Sequence, residues 1–150
     1  MKKVYEYNDL ENCILSSLLQ RPELMEELIL EDKHFTKNQR TWKFMKAFYE
    51  MYHNFDLTLM CSVATNKWKL MQYIIDIEEY CPTSSLFNEY QKQMIKLYEE
   101  GEKEKWIINK VYDATMDLWV RKTTSKEFKD RIEEIYKNAE EWKYIESENV

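Results

Sequence analysis

Glycine is almost missing from this sequence, with Gly101 the single one, and proline occurs only at Pro22 and Pro82. A sheet with many tight turns needs both residue types, so their shortage excludes a β-rich fold and leaves an all-α one. Cysteine is scarce and odd in number. Cys13, Cys61 and Cys81 are widely spaced, which reads as reduced, buried thiols and not as a disulfide framework. No stretch comes near the roughly 18 uncharged apolar residues of a membrane span. The lysines at positions 2 and 3 have no apolar run behind them, which argues against a signal peptide and for a cytoplasmic location. An excess of positive charge is lacking too. The net charge is −6, with both signs mixed along the chain, so direct nucleic-acid binding is expected to be weak or absent.

What is present is a large apolar and aromatic content, 44% and 15% of 150 residues, which excludes a disordered tail. A chain of this length buries about two-thirds of its unfolded surface in a core. The first helix is expected from about Asp9 to Gln20, with Leu10, Ile14, Leu15, Leu18 and Leu19 as its apolar stripe and Asn8 and Glu11 as a capping box. Pro22 opens a second helix to about Leu30, with Leu24, Leu28 and Ile29 inward and the pair packed as a hairpin. Glu31 to His34 reads as a polar loop. Thr36 and Gln39 form a second capping box, for an aromatic-rich helix to about His53 that carries Trp42, Phe44, Met45, Phe48, Tyr49, Met51 and Tyr52. So wide an apolar arc predicts burial on two sides and makes this the central helix. Short helices follow at Leu57 to Thr65 and Lys69 to Tyr80, the latter with Leu70, Tyr73, Ile74 and Ile77 inward and ended by Pro82.

From Leu86 to Lys122 a three-four spacing of Met94, Leu97, Ile108, Val111, Thr115 and Leu118 predicts a long helix, with a break or bend near Gly101 in the charged stretch Glu99 to Lys105. Thr124 and Glu127 make a third capping box. The last helix then shows Phe128, Ile132, Ile135, Ala139 and Trp142 at heptad spacing, and the two arms are expected to form an antiparallel hairpin. The organisation expected is a compact multi-helix bundle over residues 1–85, a long antiparallel helical hairpin over 86–145, and a tail over 146–150.

Catalytic constellations are weak. His34 and His53 are the only histidines and read as a loop or cap residue and a helix-end residue. The cysteines and histidines have no metal-ligand spacing, and adjacent pairs such as Glu26 and Glu27 point apart on a helix. No phosphate-cradling loop can be written with one glycine. No catalytic, cofactor-binding or metal-binding residue is therefore assigned, and no enzyme activity is expected.

The order of several short pieces nevertheless resembles a known pattern. Asn8-Asp-Leu-Glu precedes Ile14-Leu-Ser-Ser-Leu-Leu19; Pro22-Glu-Leu24, His34-Phe35, the aromatic Phe44 to Tyr52 and Phe55-Asp-Leu-Thr-Leu59 follow; and Tyr80-Cys-Pro-Thr-Ser-Ser85 leads to Phe87 and Tyr90. This resembles the N-terminal domain of DnaB-type replicative DNA helicases, with the helical hairpin and without the ATPase domain. Three departures stand out. Ser16 occupies the place of a glycine, Lys37-Asn-Gln-Arg40 that of Pro-Ala-His-Arg, and Asn66-Lys67 lies near a missing Gly-Gly loop.

The resemblance implies a non-enzymatic replication accessory protein of a phage or mobile element, forming a homodimer or higher oligomer and contacting replicative helicase, helicase loader or primase. It also implies a hairpin that dimerises, for which Ile108, Val111, Leu118, Trp119, Phe128, Ile132, Ile135 and Trp142 are the interface candidates. The alternatives are an N-terminal fragment of a full-length helicase and a small helical protein binding single-stranded nucleic acid. Lys122, Lys126, Lys129 and Arg131 form the one modestly basic cluster.

Overall fold

A computed structural model of the chain describes residues 6–64 and 68–142. The amino-terminal lysines, Thr65 with Asn66 and Lys67, and the tail expected over 146–150 lie outside the described residues. Among the described residues the regular structure is helical throughout, in the order α1 (Tyr7–Gln20), α2 (Gln39–Tyr52), α3 (Leu57–Val63), α4 (Trp68–Glu78), α5 (Phe87–Trp119) and α6 (Ser125–Glu140). Two 3₁₀ turns, Pro22–Glu27 and Asp32–His34, separate α1 from α2. The chain divides into two compact units, residues 1–97 and 98–150, with the division inside α5.

The first unit is built around α1, where Leu10, Ile14, Leu15 and Leu18 are wholly buried. Small residues on its other side, Cys13, Ser16 and Ser17, are buried as well, so neighbours approach it from all round. That reverses the expectation that α2 is central. α2 buries Thr41, Trp42, Met45 and Phe48 along one side, while Met51 is 73% exposed. Its tyrosines and methionine widened the apparent apolar arc without filling it, since such side chains reach an interior from a flank.

The first two expected capping boxes dissolve into a single tertiary contact. α1 begins at Tyr7 after Glu6, with no side-chain cap. Glu11 turns inward, where its carboxylate accepts hydrogen bonds from the Thr36 backbone N–H at 2.6 Å and the Thr36 hydroxyl at 3.0 Å. With Thr36 so engaged, α2 starts at Gln39, preceded by Asn38. Asn38 is itself buried: its Nδ2 donates to Asn12 Oδ1 at 3.0 Å and its Oδ1 accepts from the Tyr73 hydroxyl.

The second expected helix is shorter and tighter, a 3₁₀ turn that ends at Glu27. Leu24 is buried and Leu28 packs on the core, but Ile29 is 58% exposed. The Ile29 N–H, which would continue a helix, donates instead to Gln91 Oε1 at 2.7 Å, and Gln91 Nε2 donates back to the Glu27 carbonyl at 3.2 Å. The loop at Glu31 closes on itself, because the Glu31 N–H donates to His34 Nδ1 at 2.9 Å. Asp56 caps α3 through the Leu59 N–H. On α4 Met71, Ile74 and Ile77 are buried, whereas Tyr73 keeps 39% of its surface exposed and reaches inward only with its hydroxyl.

Ser16, in the place where the resembled pattern has glycine, is fully buried and bonded on both sides. Its hydroxyl donates to the Glu78 carbonyl at 2.8 Å and accepts from the Cys81 N–H at 3.1 Å, while Gln20 Nε2 donates to the Cys81 carbonyl at 2.7 Å. The serine thus ties the end of α4 and the segment after it to α1. From there α5 sets Phe87, Tyr90, Gln91 and Met94 against the core at three-four spacing. No break occurs at Gly101: α5 is one helix of 33 residues. A single mid-helix glycine costs about 1 kcal/mol relative to alanine, too little to end a helix whose two halves are each held by packing.

Replacing Ser16 with alanine leaves the buried Cys81 amide without its acceptor, while the Glu78 carbonyl keeps the Gln20 Nε2 donor at 2.9 Å. Urea unfolding followed by circular dichroism should show a loss of about 1–3 kcal/mol. Burial raises the Glu11 pKa, and the opposing pull of the Thr36 amide and hydroxyl only partly offsets it. A carboxyl whose folded pKa exceeds its unfolded one binds protons more readily when folded, so stability rises as pH falls through that raised value towards the unfolded one. The wild type should therefore gain stability relative to Glu11→Gln on going from about pH 8 to about pH 5. Parallel urea curves at the two pH values check this.

Candidate functional site

The second unit contains the end of α5 and the whole of α6. α5 stops in a closed cap: the Arg121 N–H bonds to the Leu118 carbonyl and the Lys122 N–H to the Asp117 carbonyl at 2.8 Å, with Arg121 in the left-handed region at φ 61°. Thr124 then starts α6, accepting from the Glu127 N–H at 3.2 Å. Two contacts fix the antiparallel register. Arg131 donates to Asp117 at 2.6 Å near the turn, and Trp106 lies 5.6 Å from Trp142, ring centre to ring centre, at the other end. Eleven residues separate the members on each arm, so one unbroken register runs the length of the hairpin.

The eight residues named from the sequence fall on two different faces. Ile135 is buried and Val111, Leu118, Phe128, Ile132 and Trp142 are half-buried, along with Ile107 and the buried Ala114 and Ala139. Ile108 and Trp119 point elsewhere: they are 66% and 81% exposed. Tyr112 and Met116, which sequence reasoning passed over, are exposed too and complete a stripe with them. The spacing contains two stripes one residue out of step, 107-111-114-118 and 108-112-116-119. Both fit a three-four pattern, so periodicity alone merges them. Burial separates them: the first is spent within the hairpin, and the second is left over.

The first unit has a cleft of about 530 Å³ beside the Asp32–His34 turn. Met25, Leu28, Leu30 and Trp42 form its apolar wall. Asp32 at its edge accepts from Trp42 Nε1 at 2.7 Å and from Lys46 at 3.3 Å. The indole hydrogen bond first, and Lys46 second, hold its carboxyl below the usual range. Glu31 is paired with Lys33 at 3.5 Å, and Glu50 completes the rim. Such a site can seat an apolar side chain. Its carboxylates at Asp32 and Glu31 are engaged with cations, which suits them to structural contact.

The histidines and cysteines are scattered. His34 is buried in its own turn, His53 is exposed at the end of α2 with φ 56°, and Cys81 is buried. Cys61, expected to be buried, lies exposed on α3, because that helix turns Met60 and not its neighbour to the core. Among the described residues no group of three or more His, Cys, Asp or Glu stands close enough to hold a metal ion. No described helix is long and apolar enough to cross a membrane. The Cys81 thiol donates to the Thr83 carbonyl at 3.0 Å and meets the Tyr90 hydroxyl at 3.5 Å. Burial, then the neighbouring Cys81, push the Cys13 thiol to about 12.

The model of the family described as "DnaB-like helicase N terminal domain" covers residues 4–97, which ends where the first compact unit ends. No curated protein matches the chain.

The thiols divide by exposure. Iodoacetamide on the native protein should modify Cys61 alone, and all three cysteines in denaturant, since Cys13 and Cys81 are buried and out of the reagent's reach. Mass spectrometry of the two samples counts the adducts.

Proposed function

The chain belongs to the DnaB-like helicase N-terminal domain family, and from that premise we propose that it is a non-enzymatic accessory factor of DNA replication. It works by contact with a replicative helicase, a helicase loader or a primase, and it self-associates through its hairpin. The residue pattern within these 150 residues supports this reading, since a single glycine cannot build a phosphate loop. The observation that carries it is the outward stripe of Ile108, Tyr112, Met116 and Trp119 on a helix whose other side already packs on α6. Solvent-facing rows of Trp, Tyr, Met and Ile mark protein contacts, and Trp and Tyr are common among the residues that dominate binding energy.

A second reading has the same family match behind it: these residues are the leading part of a longer helicase, as the family description implies. The intact mass of the protein from its native source separates the two, 18.5 kDa against a much larger chain. A phage or mobile-element origin belongs to the first reading only.

Self-association through the stripe has a clear signature. Sedimentation of the unaltered protein should give a dimer or larger species, and Ile108→Asp with Met116→Asp should weaken it by about tenfold or more while helix content stays the same. Asp at Ile132 and Ile135, within the hairpin seam, should instead lower helix content and stability. A monomer for the unaltered protein would sink the self-association. Failure to capture helicase, loader and primase on the immobilised wild type would sink the partner reading.

A further inference from the structure

The hairpin tip has a composition unlike the rest of the chain. From Trp119 to Arg131 there are five Lys or Arg against two Asp or Glu, a net of +3 in a chain of −6, which leaves −9 on everything else. Arg131 is spent on Asp117 inside the hairpin. Arg121, Lys122, Lys126 and Lys129 are exposed and, among the described residues, have no ion-pair partner. They share the turn and the residues flanking it with Trp119, which is 81% exposed, and Val120, which is 53% exposed.

We propose that this tip is a docking site for an acidic segment of a partner protein that carries at least one large apolar side chain. The indole of Trp119 with Val120 supplies an apolar contact, and the four cations supply charge to either side of it. Trp and Arg are the residue types that anchor protein interfaces, and a rim of cations selects an acidic partner and speeds its encounter. A single-stranded nucleic acid fits less well. The cations stop at the turn: along α5 from Trp106 to Trp119 the charged residues are Lys110, Asp113 and Asp117, so no basic track continues for a phosphate backbone to follow. The inference rests on the proposed role in protein contact, and adds to it the place and the chemistry of the partner.

The test uses the full chain. A fluorescein-labelled peptide of about a dozen residues, mostly Asp and Glu with two leucines, is titrated and read by anisotropy, with labelled oligo-dT of similar length as the comparison. The peptide should bind at low salt. Binding should fall by about tenfold or more in Arg121→Glu/Lys122→Glu and in Trp119→Ala, with circular dichroism unchanged in both. Equal peptide affinity in wild type and variants overturns the proposal, as does oligo-dT binding more tightly than the peptide in a tip-dependent way. Capture of helicase, loader or primase is measured on the same variants. Capture that persists after charge reversal defeats the tip and spares the replication reading. Tip-dependent peptide binding without capture of any of the three supports the tip and defeats that reading.

Discussion

The first unit depends on a buried helix that is polar where it must be. α1 has no solvent face to speak of, so each polar group on it needs a partner inside the protein or carries an unrelieved desolvation cost. Glu11 finds its partner in Thr36, at the entry to α2; Asn12 finds Asn38; Ser16 finds the end of α4 and the segment after it. These bonds join α1 to two stretches of chain, the segment 36–38 before α2 and the segment 78–81 at the end of α4. Apolar packing would tolerate several arrangements of short helices around Leu10, Ile14 and Leu18, and these directional contacts select one.

α5 shows the same economy on a larger scale. Its first turns carry Phe87, Tyr90, Gln91 and Met94 into the core, and its last turns carry Val111, Ala114 and Leu118 into the hairpin seam. One uninterrupted helix thereby belongs to both compact units. Once the seam is satisfied, Ile108, Tyr112, Met116 and Trp119 remain in solvent, and burial of that apolar surface would be favourable.

Membership of a helicase N-terminal domain family and a surplus apolar face point in the same direction, towards work done by contact. The charge distribution sharpens this. The chain is acidic as a whole, while residues 119–131 carry a net of +3, so charge as well as exposed apolar surface sets the hairpin tip apart.

Much of this was legible in the residues themselves. The want of glycine and proline dictated an all-helical chain, because backbones without turn formers have few alternatives. Three-four spacing found the buried stripe of α1 and the helices α5 and α6, and the box pattern found the cap at Thr124, since those depend on neighbours in sequence. The failures share a cause. Glu11 and Thr36 looked like local caps and are each other's partners across 25 positions; Ile29 lost its inward place because Gln91, 62 positions away, took its amide; Gly101 did not break α5 because packing on either side outweighs one poor residue. Local pattern specified which segments become helices and roughly where they stop. Which side of each helix is used, which polar group is paired, and which of two interleaved stripes on α5 stays free are matters of long-range competition for partners, and only the tertiary structure decided them.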